Sequence, residues 1–130
     1  VHARRPERAA GLVALGARLG VEVEVETLDA RPLAAGSARV DLTIATLPSG
    51  TVLPVATSTE LAESGGALFD AAYAPWPSAL ASSWGGSAVI SGLGMLLHQA
   101  VRQIRIFHHG DPAIELPAEE SVVAAMRAAL

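Results

Sequence analysis

The sequence predicts an α/β fold: a partial doubly wound, Rossmann-like unit with a mainly parallel sheet and flanking helices. Short apolar segments of strand length alternate along the chain with segments whose apolar residues recur at helical spacing. This alternation is typical of parallel strands that are covered by helices on both faces. The 130 residues, of which 51% are hydrophobic, suffice for one domain with a buried core.

The chain starts with a strand–helix–strand pattern. Val1 and His2 have the character of a strand that is already under way, so we expect the chain to be a fragment. Pro6 can occupy the first turn of a helix, and apolar residues at helical spacing continue that helix to Gly20. Alternating Val and Glu over residues 21–27 predict a half-exposed strand, and residues 41–46 predict a short buried one.

The remaining elements follow the same alternation. In order, we predict a turn at 48–50, a weak helix at 58–64, a buried strand at 67–73, a short helix at 78–84, a last strand at 87–90, a long helix at 93–108 that Gly110 ends, and a terminal helix at 118–129. In open parallel sheets, ligands bind beyond the carboxyl ends of the strands. Candidate site residues should therefore lie in segments 3–8, 46–50, 73–77 and 91–95.

Composition excludes several classes of function. The formal charge of −4 argues against nucleic-acid binding. The absence of cysteine excludes thiolate metal sites, and the four histidines have no zinc-type spacing, so no metal site is predicted. The chain has no lysine, so no lysine-based catalysis can come from it. The longest apolar stretch is too short to span a bilayer, no secretory signal is visible, and we expect a cytoplasmic protein.

Three arginines near the start of the chain form a candidate anion site. Arg4, Arg5 and Arg8 surround the start of the first helix, and no acidic residue stands at the end of the preceding strand. In dinucleotide-binding folds, Arg at this place accommodates the 2′-phosphate of NADP, whereas Asp or Glu bonds the ribose of NAD. Guanidinium groups and a helix N-terminus both attract phosphate. The alternative is a solvated, Arg-rich helix start without a ligand.

The long helix supplies a second candidate. Gly92, Met95 and Gln99 share one face, separate from an apolar stripe that suits the core. Glycine permits close approach of a ligand, and the Gln99 amide can both donate and accept hydrogen bonds. Tyr73 is a third candidate, since its hydroxyl could bond a polar substrate. Alternatively, Met95 fills the core, Gln99 is a surface amide, and Tyr73 is buried with its hydroxyl satisfied.

These residues belong to motifs that resemble the shikimate dehydrogenase family. Residues 91–100, Ser-Gly-Leu-Gly-Met-Leu-Leu-His-Gln-Ala, are similar to its signature Gly-Leu-x-Met-Leu-x-x-Gln-Ala. Residues 70–80 are similar to its Asp-x-x-Tyr-x-Pro-x-x-Thr-Pro-Leu, and residues 41–46 to its Asp-Leu-Val-Ile-Asn-x-Thr. Residues 4–9 resemble the Asn-Arg-Thr-x-x-Arg-Ala motif that grips the NADP 2′-phosphate. The ordered series spans nearly the whole chain.

The resemblance implies NADP-dependent reduction of 3-dehydroshikimate to shikimate. By position, it implies cofactor contacts from Arg4, Arg5, Arg8, Thr46, Gly92 and Met95. It implies that Tyr73 and Gln99 bond substrate hydroxyls. The motifs also depart from the family pattern: Ala3 replaces Asn, Arg5 replaces Thr, Ala45 replaces Asn, Ser78-Ala79 replaces Thr-Pro, and Ser91 replaces Asp.

Two parts of the family pattern are absent from this chain. The family's catalytic Lys–Asp pair belongs to an N-terminal domain, and its Gly-rich phosphate loop follows the first Rossmann strand. We therefore expect residues 1–110 to form an NADP-binding domain that lacks this strand and loop, and residues 111–130 to pack on the absent substrate domain. No catalytic residue is assigned, and the fragment is expected to be inactive, with exposed apolar edges.

Other functions remain open at this stage. A relative that oxidises quinate or another polyol acid would also use Tyr73 and Gln99 to bind hydroxyls. A non-catalytic paralogue that binds NADPH would keep the arginines. A homodimer is also left open.

Overall fold

Two parallel sheets organise the fold. In the computed structural model, which describes residues 1–28, 39–85 and 88–130, the first sheet pairs β1 (His2–Ala3) with β2 (Glu26–Thr27). The second contains β3 (Leu42–Ala45), β4 (Ala67–Asp70) and β5 (Val89–Ser91), in that order. All these pairings are parallel. The predicted α/β class is confirmed, although the described strands form two sheets rather than one.

Five helices connect or follow these strands in the described residues. They are α1 (Ala10–Leu19), α2 (Val55–Ser64), α3 (Ala79–Ser83), α4 (Leu93–His109) and α5 (Glu119–Ala128). Gly20 and Gly110 end α1 and α4 with φ of 70° and 73°, as their positions in the sequence predicted. Pro6 opens a 3-10 turn over Pro6–Ala9 that leads into α1.

Several element boundaries differ from the predictions for local reasons. The predicted strand at 21–27 is paired only over Glu26–Thr27, since β1 offers only a short partner. The predicted strand at 67–73 ends at Asp70, whose carboxylate accepts a hydrogen bond from the Ala72 N–H and turns the chain. The weak helix begins earlier, after Pro54. The predicted start of the last strand, Ser87, lies outside the described residues.

The main core lies where α2 and α3 pack on the second sheet. Its buried members are Ala45, Leu61, Leu68, Leu80, Ala81 and Trp84. Leu68, in the middle strand, is completely buried. The Trp84 indole N–H donates to the Gly66 carbonyl at 2.9 Å, which satisfies the polar atom of the largest core side chain. This core fixes the strand ends that carry the site.

Apolar side chains of β3 and of α1 are exposed. Leu42 and Ile44 of β3 are 49% and 62% exposed, so the prediction of a buried strand at 41–46 is wrong for this face. The reason is that Leu42 and Ile44 alternate with Ala45 along β3, so they lie on the face of the sheet opposite to the core that α2 and α3 form. The apolar stripe of α1 is also exposed, and only Gly16 of that helix is buried. A cavity of about 500 Å³ separates β3 from β1 and includes Val1, His2, Leu42 and Ile44 in its lining.

The terminal helix is attached by an ion pair. Arg105 of α4 donates two hydrogen bonds to the Glu119 carboxylate, one of them from Nε at 2.7 Å, and the Leu116 N–H donates a third at 3.1 Å. The Arg105 hydrogen bond, followed by that from Leu116, lowers the pKa of Glu119 to about 2. No residue of α5 is buried, so this ion pair is its principal polar anchor in the described part of the chain.

Candidate functional site at the carboxyl ends of the strands

The strand register brings three site loops side by side. Ala45, Asp70 and Ser91 are direct partners across β3, β4 and β5. The residues that follow them begin three adjacent loops at the carboxyl edge of the sheet. Ligands of open parallel sheets bind at this edge, and the motif residues Thr46, Tyr73 and Gly92 all follow it within three residues.

Tyr73 lies between two residues whose backbones are tied to the neighbouring loops. The Ala72 carbonyl accepts a hydrogen bond from the Gly92 N–H at 3.1 Å. The Ala74 carbonyl accepts one from the Ser49 hydroxyl at 2.5 Å. The Tyr73 side chain itself is 46% exposed, so the alternative of a buried tyrosine is wrong for this structure, and its hydroxyl is accessible to a ligand.

Gly92 is required by the protein's own backbone. A Cβ at this position would lie 2.1 Å from the Ala71 carbonyl oxygen, far inside van der Waals contact. The sequence suggested that this glycine allows a ligand to approach closely, whereas the group that approaches in the structure is the loop that leads to Tyr73. The start of α4 and the Tyr73 loop therefore form one packed unit.

The two faces of α4 separate as predicted. Leu97 and Val101 are buried, at 4% and 5% exposure, and belong to the predicted apolar stripe. Met95 is 46% exposed and Gln99 is also exposed, so Met95 does not fill the core. Both side chains are accessible on the face that begins at Gly92.

The side chains of the arginine cluster are exposed. Arg4, Arg5 and Arg8 follow β1, and their side chains make no ion pair or hydrogen bond with the described residues. The backbone N–H of Arg8 donates to the Arg5 carbonyl at 3.0 Å, which closes the 3-10 turn. Because these guanidinium groups have no partner among the described residues, their donors can bind an anion.

A groove connects part of this edge. Thr46 and Leu47 line the large cavity together with His2, and Leu47 also lines a shallow depression that reaches Asp70, Ala72 and Ser78. Neither cavity includes Arg4, Arg5, Arg8, Gly92, Met95 or Gln99 in its lining. The structure thus joins the Thr46 loop to the Tyr73 loop, but it does not bring the arginines and the α4 face into one cavity.

Sequence reasoning missed three polar residues of these loops. Ser49 contacts Ala74, while Ser78 caps α3 and contacts Asp70. A signal was present for two of them, because Ser directly before a short helix is a common N-cap and Asp often bonds the backbone N–H two residues on. The Ser49 contact spans 25 residues and has no local signature.

The described residues contain neither a metal-binding cluster nor a membrane-spanning helix. In residues 1–28, 39–85 and 88–130, no group of three His, Asp or Glu side chains could hold a metal ion. His108 and His109 are exposed, and their ring centroids lie 4.4 Å apart. Among the helices of the described residues, none has the length and apolar character needed to cross a membrane.

The parallel strands, their helices and the loops at their carboxyl ends define a Rossmann-like α/β protein. No protein-family model matches the chain, and no curated protein matches it. Among solved structures, it is similar to Mycobacterium tuberculosis shikimate dehydrogenase, with a TM-score of 0.70 and 37% sequence identity over 100% of this chain. The chain is shikimate dehydrogenase-like in its fold, and the resemblance inferred from the motifs is confirmed. It spans 47% of the length of that protein.

Proposed function

We propose that this chain is the C-terminal, NADP-binding part of a cytoplasmic shikimate dehydrogenase that reduces 3-dehydroshikimate to shikimate. The observation that carries the proposal is the identity of 37% over the whole chain with a shikimate dehydrogenase, in a fold whose motif-bearing loops share one sheet edge. A similar fold alone would support only the class of protein. Here six of the residues that the family motifs imply as ligand contacts are also present: Arg4, Arg8, Tyr73, Gly92, Met95 and Gln99.

The arginine cluster fits the cofactor NADP. Arg4, Arg5 and Arg8 would hold the 2′-phosphate, because their donors make no contact with the described residues and no acidic residue stands in β1. Thr46 would line the cofactor from the next loop, and Met95 would contact the nicotinamide end. When bound, NADPH supplies the hydride for such a reduction.

Tyr73 and Gln99 would orient the substrate. Both side chains are exposed on elements that the core holds in place, and both can hydrogen-bond hydroxyl groups. Correct orientation of the carbonyl relative to the hydride donor supplies much of the rate acceleration in such a reaction. This chain contributes no proton-transfer residue to the proposal, since the expected Lys–Asp pair belongs to the substrate domain.

The cavity between the sheets is the place where the expected first strand would fit. The Asp41 and Ala45 carbonyls accept hydrogen bonds from the β4 side, so the backbone groups of Leu42 and Ile44 point to the opposite, open edge. A strand inserted there would hydrogen-bond with these backbone groups and join the sheets. Activity therefore requires the polypeptide that supplies this strand, and residues 111–130 would pack on its substrate domain.

The test is turnover by the longer polypeptide that contains this chain. We expect it to reduce 3-dehydroshikimate with NADPH and to oxidise shikimate faster than quinate with NADP. Faster oxidation of quinate than of shikimate would indicate a polyol-acid dehydrogenase instead. NADPH binding without turnover of either substrate would indicate a non-catalytic paralogue, and a lack of NADPH binding would overturn the proposal.

A further inference from the structure

Asp70 is a buried carboxylate to which the proposed reaction assigns no role. Its exposure is 3%, and it stands at the end of the middle strand, three residues before Tyr73. Burial of a carboxylate is costly unless its oxygens are hydrogen-bonded. Both oxygens have such partners here, and the two partners lie at opposite ends of the same loop.

The carboxylate closes the loop that carries Tyr73. Asp70 Oδ1 accepts a hydrogen bond from the Ala72 N–H at 3.0 Å, and Oδ2 accepts one from the Ser78 hydroxyl at 2.5 Å. The Ser78 oxygen in turn accepts from the Ala81 N–H at 3.0 Å and caps α3. One side chain therefore fixes the loop to the strand at its start and to the helix at its end.

Two further hydrogen bonds hold the residues next to Tyr73. The Gly92 N–H reaches the Ala72 carbonyl, and the Ser49 hydroxyl reaches the Ala74 carbonyl. The Tyr73 side chain takes part in none of these contacts and stays accessible. The hydrogen bonds thus restrict the backbone around Tyr73 and leave its hydroxyl free.

We infer that Asp70 is a positioning residue: it holds the Tyr73 hydroxyl where the substrate binds, by clamping both ends of the 71–78 loop. This inference rests on the proposed function, in which Tyr73 bonds a substrate hydroxyl. Loss of the clamp would impair substrate binding more than binding of the cofactor's 2′-phosphate, because the arginine cluster follows a strand of the other sheet. Asp70 itself need not touch the substrate.

A double-mutant cycle in the complete dehydrogenase tests the inference. We expect Tyr73→Phe to raise the KM for 3-dehydroshikimate about tenfold and Asp70→Ala about fivefold, because a residue that only positions the hydroxyl cannot cost more than its removal. In the Tyr73→Phe background, Asp70→Ala should raise this KM by less than about twofold, since residues that act through one another are not additive. The KM for NADPH should change by less than about twofold in each variant.

Asp111 provides a matched control. Its carboxylate accepts the same kind of hydrogen bond, from the Ala113 N–H at 2.8 Å, at an exposed turn. Asp111→Ala should leave both KM values unchanged. If Asp70→Ala prevents folding, Asp70→Asn replaces it in the cycle, because the amide keeps the acceptor for Ala72 but loses that for Ser78.

The outcomes distinguish the positioning role of Asp70 from the proposed function of the protein. Independent, multiplicative effects of the Asp70 and Tyr73 substitutions would overturn the positioning role and leave the proposed function intact. An unchanged KM for 3-dehydroshikimate in Tyr73→Phe would contradict the substrate role of Tyr73 in the proposed function, and the positioning inference with it.

Discussion

The loops that follow β3 to β5 differ from the segment that follows β1 in how they are held. Side-chain and backbone hydrogen bonds join the loops after β3, β4 and β5 to one another. These loops lie over a core in which Leu68 is fully buried. The arginine side chains after β1 make no such contact with the described residues, and the apolar side chains of α1 above them are exposed. The molecule therefore has a prearranged edge after β3 to β5 and a cationic edge after β1 whose arginine side chains the described residues do not hold in place.

The largest effect is expected from substitution of Gly92, where the backbones of the prearranged edge pack most closely. Gly92→Ala places a Cβ 2.1 Å from the Ala71 carbonyl oxygen, and forced overpacking of this kind costs roughly 1–3 kcal/mol. We expect a lower melting temperature and a raised KM for 3-dehydroshikimate in the complete protein. Gly94→Ala is the matched control, because a Cβ there meets nothing within 4 Å. Equal effects of the two substitutions would show that the Ala71 contact is unimportant.

The contribution of the cationic edge to cofactor binding can be tested separately. We expect the double substitution Arg4→Ala and Arg5→Ala to raise the KM for NADPH about tenfold, since two exposed charge pairs with the phosphate are lost and each contributes at most about 1 kcal/mol. Turnover with NADH should change little, because NADH lacks the 2′-phosphate. Arg18→Ala, at an exposed cation in the last turn of α1, is the control. An unaltered preference for NADP over NAD would show that the 2′-phosphate assignment is wrong.

The exposed face of α4 permits a smaller test. Gln99→Ala removes an amide that we propose bonds the substrate, and we expect kcat/KM for 3-dehydroshikimate to fall about fivefold. Gln103, exposed one turn further along the helix, is a control for loss of a surface amide. A similar decrease in Gln103→Ala would mean that the position of Gln99 has no special importance.

The smallest effect concerns the attachment of α5, outside both edges. Arg105 lowers the pKa of Glu119 from 4.5 to about 2 in the folded protein, so the unfolded chain takes up the proton first as the pH falls. The stabilising contribution is therefore complete above pH 4.5 and is lost as the pH falls through about 2. Urea unfolding of the complete protein should show wild type more stable than Glu119→Gln at pH 6, and the difference should vanish near pH 2. Glu120→Gln, at the exposed neighbour, should show no such pH-dependent difference.

The sequence predicted the features that depend on a periodic pattern of apolar residues or on the position of a glycine. The long apolar stripe of α4 placed Leu97 and Val101 in the core, and the glycines that end α1 and α4 were identified from their positions. Amphipathic spacing also identified an apolar face on α1, but a pattern of this kind does not say what covers that face. The exposure of Leu42 and Ile44 escaped prediction for the same reason.

The contacts that shape the site depend on particular atoms instead. The end of β4 is set by one carboxylate, Asp70, and the Tyr73 loop is held by Ser49 from a distant part of the chain. Such contacts leave no periodic trace in a single sequence. The motif resemblance could place Tyr73 and Gly92 near a ligand, but only the fold shows that their backbones are joined.

The backbone contact at Gly92 also limits how such a protein can diverge. Any side chain at this position meets the Ala71 carbonyl whatever molecule is bound, so selection for a new substrate cannot act there without rebuilding the loop. Tyr73 and Gln99 carry no such constraint, since their side chains reach solvent. Substrate preference should therefore drift through exposed side chains around a glycine that stays fixed.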